Sequence, residues 1–122
     1  MRKLTDRNQA EPNKGTRLTT VKETFKISLC KQLDNGFDFK TLKNGAIKSF
    51  HTFLDRTVDK NLTISEVDSL YLRTRGNIKQ NINGIDVIHY GIDNTAFRIF
   101  GYYNQDGYFN ITRIDPNHRT NK

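Results

Sequence analysis

The stretch that decides the fold is residues 95–122, TAFRIFGYYNQDGYFNITRIDPNHRTNK. Two runs of β-branched and aromatic residues, 96–103 and 108–114, flank Asn104-Gln105-Asp106-Gly107. Strand formers on both sides of a turn cluster predict a β-hairpin. Pro116 has no N–H to give a ladder, so the sheet stops there. Phe97, Phe100, Tyr102, Tyr103, Tyr108, Phe109 and His118 are interleaved with Arg98, Arg113 and Arg119. Bases stack on aromatic rings and phosphates pair with guanidinium groups, so a sheet that binds nucleic acid would have this composition. An ordinary hairpin with one packed apolar face would have it too.

Two hairpin registers are open. With a four-residue loop, 104–107, Tyr102 faces Phe109, Phe100 faces Ile111 and Arg98 lies opposite Arg113. With Asp106-Gly107 as a two-residue turn, Arg98 faces Asp115 and Phe100 faces Arg113. The first is favoured because it gathers Phe100, Tyr102, Phe109 and Ile111 on one apolar face. Two like charges paired across strands repel unless an anion joins them, and a phosphate would be that anion. Two solvated arginines at a sheet end are the plainer alternative. His118 follows just beyond the last strand. An exposed histidine titrates near neutrality, as proton transfer requires. A surface histidine in a frayed tail is its plainer reading.

Moving outward, Ile85 to Tyr90 reads as a strand broken by Gly91, with His89 alternating with Val87 and Ile85 as a core histidine would. Asn83-Gly84 is a turn. Residues 73–84 are polar and basic, and Arg73, Arg75 and Lys79 there are candidate phosphate contacts; a solvated linker is the alternative. Thr63-Ile64-Ser65-Glu66 is a capping box. It opens a helix with the stripe Ile64, Val67, Leu70 and Tyr71, ended by Gly76. Asn44 is a plausible N-cap for an earlier helix, whose stripe is Ile47, Phe50, His51, Leu54 and Val58, widened by Phe53 and Ala46. His51 on that stripe reads as a core residue. Residues 24–30 alternate Phe25, Ile27 and Leu29 against Lys26, Ser28 and Cys30, a strand with one buried face. The order is β-α-α-β-β-β. The fold class is α+β: a small antiparallel sheet with two helices packed on one face. Its core comprises the helix stripes with Phe25, Ile27, Leu29, Phe100 and Ile111.

The 122 residues suffice for one domain, and the apolar fraction of 34% is low. Part of that deficit sits in residues 1–22, which hold six basic and two acidic side chains and no hydrophobic period. They read as a flexible basic arm ahead of a single domain over 23–122. The arm carries +4 of the formal net charge of +7. It has no apolar segment of the secretory type, and no run in the chain is long enough to span a membrane. One cysteine, Cys30, cannot form an internal disulfide, which fits a reducing, cytoplasmic setting. No Cys/His cluster has zinc spacing, and no phosphate-cradling glycine motif occurs. No cofactor is expected.

Phe97-Arg98-Ile99 on one strand, Tyr102-Tyr103 at its end, then Ile111-Thr112-Arg113-Ile114 and His118-Arg119 carry a resemblance. Together with the element order, they are similar to the RelE/HigB-like toxin ribonucleases of bacterial toxin–antitoxin systems. The resemblance spans roughly residues 24–119. It implies a metal-independent endoribonuclease in which the substrate 2′-OH attacks the adjacent phosphate. Arg98 and Arg113 would hold that phosphate and His118 would act as general acid or base. Tyr102 or Tyr103 would stack a base or assist proton transfer, with Arg119 as a further nucleic-acid contact. Implied partners are RNA or the ribosome, and an antitoxin or other protein. The same pieces resemble small uncharacterised phage and plasmid proteins. That leaves open a non-catalytic accessory protein that binds a host or defence protein through its aromatic hairpin. A major-groove DNA reader is the weakest reading, because neither helix has a basic, Asn/Gln-rich face.

Overall fold

A computed structural model describes residues 22–73 and 79–121 of the chain. The expectations for residues 1–21 of the N-terminal arm and for Arg75 lie outside the described residues, whereas the second helix ends at Tyr71, with Leu72 already extended, and not at Gly76 as expected.

The expected helices form. α1 runs Asn44–Arg56 and α2 runs Ile64–Tyr71. The capping box of α2 is realised, with Glu66 N–H donating to Thr63 Oγ1 at 3.2 Å and Thr63 N–H to Glu66 Oε1 at 2.8 Å. At α1 the N-cap is Lys43 rather than Asn44, and no side chain caps it. The buried stripes are rotated from those expected. Phe53 is the buried residue of α1, while Ile47 and His51 face outward, His51 beside Asp55 at 3.5 Å. Phe53 wins the inward position because its ring meets Phe25, Tyr71 and Tyr90. In α2, Ile64, Val67 and Asp68 are buried and Leu70 is exposed.

Five strands make one sheet: β1 Ile27–Ser28, β2 Gln80–Ile82, β3 Ile85–Gly91, β4 Arg98–Tyr103 and β5 Phe109–Asp115. Their spatial order is β1-β5-β4-β3-β2. The α+β class is therefore as expected, with two differences. β2 is an additional edge strand, formed because Asn83 and Gly84 both adopt positive φ and close a two-residue turn onto β3. β1 pairs in parallel with β5, so the sheet is mixed. β1 also covers only two residues. Cys30 N–H already bonds the Asn110 side chain instead of a backbone carbonyl, and Leu29 is exposed. β3 runs through Gly91 rather than stopping before it.

The β4–β5 hairpin has neither register expected at its tip. Tyr103 pairs with Phe109 and Tyr102 with Asn110, around a five-residue loop closed by Asn104 N–H to Tyr108 O at 2.9 Å. A bulge between Phe100 and Gly101 then shifts the ladder, so that Phe100 pairs with Arg113 and Arg98 with Asp115. The cause is visible in the spacing of Ile111 and Ile114. Both are buried in the helix-side core, and residues three apart on a strand share a face only if one extra residue is inserted. Gly101 permits this, since a Cβ there would collide with the Asn110 carbonyl oxygen.

The sheet has two covered faces. Phe25, Phe53, Ile64, Val67, Tyr90, Ile99, Phe109 and Ile114 belong to the core between sheet and helices. Within it Tyr90 Oη donates to Asp68 Oδ1 at 2.5 Å and meets Tyr103 Oη at 2.6 Å. The other face carries Val87, His89 and Phe100, all buried. Residues 116–121 fold back towards it as a strap. Arg119 and Thr120 N–H groups donate to the two Asp115 carboxylate oxygens at 2.9 and 2.6 Å. Asn121 and Gln80 exchange side-chain amide bonds of 2.8 and 3.0 Å, tying the strap to the far edge strand.

Candidate functional site

On the strap-covered face, Arg73 and Arg98 converge beside Gly91, with His89 on the same face and His118 near enough to His89 to act on its charge. Alternation along β3 puts His89 and Gly91 on this face. Arg98 enters from β4, opposite Gly91. Arg73 follows α2 and is held alongside β3 by its N–H bond to the His89 carbonyl, 3.0 Å. His118 comes from the strap, where φ of +55° marks a left-handed backbone.

The absence of a side chain at Gly91 makes room for this. A Cβ there would stand 2.7 Å from Arg98 Cδ and Nη1 and 2.8 Å from Arg73 Nε. The two guanidinium groups therefore approach one point from two sides. Arg98 Nη1 donates to the carbonyl oxygens of Thr95 and Phe97, both at 2.8 Å. Arg73 Nη2 meets Asp93 at 3.0 Å, but its buried Nε has no hydrogen-bond partner among the described residues. Burial, and after it the neighbouring charge of Arg73, depress the Arg98 pKa. An anion placed between them would relieve that repulsion.

His89 is 7% exposed and stacks on Phe100 with ring centres 4.6 Å apart. Its Nδ1 is buried without a hydrogen-bond partner among the described residues. Burial lowers its pKa from 6.5 to about 4, and the charges of Arg98, His118 and Arg73 add to the effect, against a weaker pull from Asp115. At neutral pH this imidazole is uncharged, with a lone pair to offer. Burial pushes the Asp115 carboxyl up, but the N–H groups of Arg119 and Thr120 outweigh it and keep it below the usual carboxylate range. Among the described residues no group of three His, Cys, Asp or Glu side chains could hold a metal ion.

The residues expected to form a site divide accordingly. Arg98, His118 and Arg73 are brought together. Arg113 is not opposite Arg98, because the bulge separates them. It lies on the same face, but its Nε bonds Asp34 at 2.9 Å and its guanidinium covers the Phe37 ring at 3.9 Å. Arg119 covers the other side of the same neighbourhood, 4.5 Å from the Phe37 ring centre and donating to Gly36 O at 2.8 Å. Tyr102 is half-buried four positions along β4 from Arg98, roughly 13 Å away. Tyr103 faces the helices, its ring on Phe109 and its hydroxyl on Tyr90, and burial pushes its phenol up. Lys79 is exposed just before β2. Sequence reasoning took His89 for a core histidine and Gly91 for a strand break, and gave neither a place in the site. The His89-Tyr90-Gly91 spacing was the available signal: an imidazole and a vacant position on one face of a strand.

No protein-family model, no curated protein and no solved structure matches this chain.

Proposed function

We propose that this protein is directed at RNA, and that the cluster around Gly91 cleaves the RNA backbone by an intramolecular transfer like that of the RelE/HigB-like toxin ribonucleases. The observation that carries the reading is the approach of Arg73 and Arg98 to one point beside Gly91, on the face that also carries His89, whose buried Nδ1 has no hydrogen-bond partner among the described residues. Two guanidinium groups there would hold the non-bridging oxygens of a phosphodiester and stabilise the charge that grows on them. Neutral His89 would accept the proton of the 2′-OH as that oxygen bonds to phosphorus. The P–O5′ bond breaks, and His118 would supply the proton that the departing 5′ oxygen takes up. The products are a 2′,3′-cyclic phosphate and a free 5′-OH.

The test uses a labelled single-stranded RNA of mixed sequence. The full chain should bind it with an affinity that falls steeply with salt, and should cut it to ends carrying a cyclic phosphate. The double variant Arg98→Ala, His118→Ala should stay folded and lose cleavage. Cleavage surviving in that variant rules out this site. Absence of RNA affinity, with salt-insensitive capture of a protein, would replace the reading with that of a non-catalytic binding module.

A further inference from the structure

A cleft of about 450 Å³ opens at the same sheet end as the cationic cluster, between the start of α1 and the loop entering β4. Ala46 and Ser49 of α1 form one wall, Phe97 and Pro116 the other, with Lys43 and Asn117 at its margins. The structure otherwise leaves this space without a task. Its volume falls within the range of small-ligand sites, roughly 300–1,000 Å³.

From this cleft we infer a second subsite: it receives one unpaired RNA base, with its ribose, next to the phosphate held by Arg73 and Arg98. The inference rests on the function proposed above and specifies the substrate as single-stranded at this position. Two observations carry it. The first is continuity. Arg98 Nη1 lies 2.8 Å from the carbonyl oxygens of Thr95 and Phe97, and both residues line the cleft. His118, on the other side of the sheet end, directly follows Asn117 of the cleft margin. A nucleotide whose phosphate meets Arg98 therefore has its base within reach of this opening and of no wall already packed. The second is chemistry. Pro116 and Ala46 offer apolar surface to a ring, while the Ser49 hydroxyl, the Lys43 ammonium and the Asn117 amide can donate to its edge. A base inside a duplex is stacked and paired, and would have to be flipped out to enter.

The experiment compares two labelled hexamers of equal charge on the full-length chain by fluorescence anisotropy. Both have 2′-O-methyl riboses, which blocks transfer, and one lacks all its bases. The base-bearing hexamer should bind about tenfold more tightly, the order expected for one stacked base. Ala46→Trp fills the cleft. It should remove that difference while the abasic hexamer binds as before, with far-UV circular dichroism reporting the fold. Equal affinity of the wild-type chain for the two hexamers overturns the inference, whether or not the tryptophan variant folds. So does a difference that persists in folded Ala46→Trp. Binding of neither hexamer refutes the phosphate site itself, and the subsite with it; tight, equal binding of both refutes the subsite alone.

Discussion

Arg113 and Asp34, 79 positions apart in the chain, form an ion pair 2.9 Å long, with their side chains only 11% and 25% exposed. The loop bearing Asp34 is docked on β5 by two backbone bonds, Asp34 N–H to Thr112 O and Ile114 N–H to Phe37 O. Arg113 is therefore a fastener between loop and sheet, while Arg98 makes no ion pair with a carboxylate among the described residues. The two arginines should separate cleanly in mutation. Arg113→Ala should lower stability by about 2 kcal/mol, between the values for exposed and buried pairs, with RNA affinity little changed once folded. Arg98→Ala should do the opposite: a near-wild-type urea midpoint, weaker RNA binding and a salt slope reduced by about one.

Gly91→Ala tests the approach of the two guanidinium groups without removing either. The three atoms nearest to the added methyl belong to the Arg98 and Arg73 side chains, not to backbone. The chain should fold, and RNA affinity should fall several-fold as the two groups are pushed apart. Unchanged affinity in Gly91→Ala would show that their convergence has no part in binding.

His89 gives the molecule a specific acid response. Its folded pKa, about 4, lies below the ordinary 6.5, so the unfolded chain binds the extra proton first. Its contribution to stability is complete above pH 6.5 and is lost as the pH falls towards 4. His89→Phe keeps a ring on Phe100 and removes the titration. Denaturant midpoints measured from pH 7 to pH 4 should fall less in that variant than in the wild type. Phosphate or RNA should raise the His89 pKa, visible as a shift of its imidazole resonances, because a bound anion offsets Arg73 and Arg98.

At the bulge, Gly101→Ala should be among the most damaging single methyl additions in the chain. The Asn110 carbonyl oxygen it strikes is backbone and cannot swing aside. A loss of about 3 kcal/mol is expected, enough to lower Tm by at least about 10 °C. A thermal melt reads it directly.

Local signals in the sequence were reliable where chemistry and geometry coincide within a few residues. Thr63 and Glu66 announce a capping box and make one. Asn83-Gly84 announces a tight turn and closes one. The failures are non-local. The edge strand β2 is Gln80-Asn81-Ile82, too polar for a strand pattern, and exists because its turn presents it to β3. Phe53 was legible only at the margin of the α1 stripe; its partners Phe25, Tyr71 and Tyr90, which rotate the helix onto it, are not revealed by spacing within the helix. Asp68 sits in a helical stripe as though it were apolar, because Tyr90 Oη waits there to donate to it. Ile111 and Ile114 did carry a sign of the bulge, in an odd interval between two core residues. Of the candidate site, Arg98 and His118 were legible as charge beyond a strand. Their company was not: Arg73 reaches them through a bridge beside β3, and Arg113 was taken away by a loop nearly eighty residues upstream.

The parallel pairing of β1 with β5 sets the order of events during synthesis. Phe25 packs against Phe109, and Ser28 bonds Asn110 from 82 positions away. α1 and α2 can form as the chain emerges, but the cavity they close over stays open until the final strand has left the exit tunnel. Such long-range closure is slow. Nascent chains halted before residue 109 should therefore be held by chaperones or degraded.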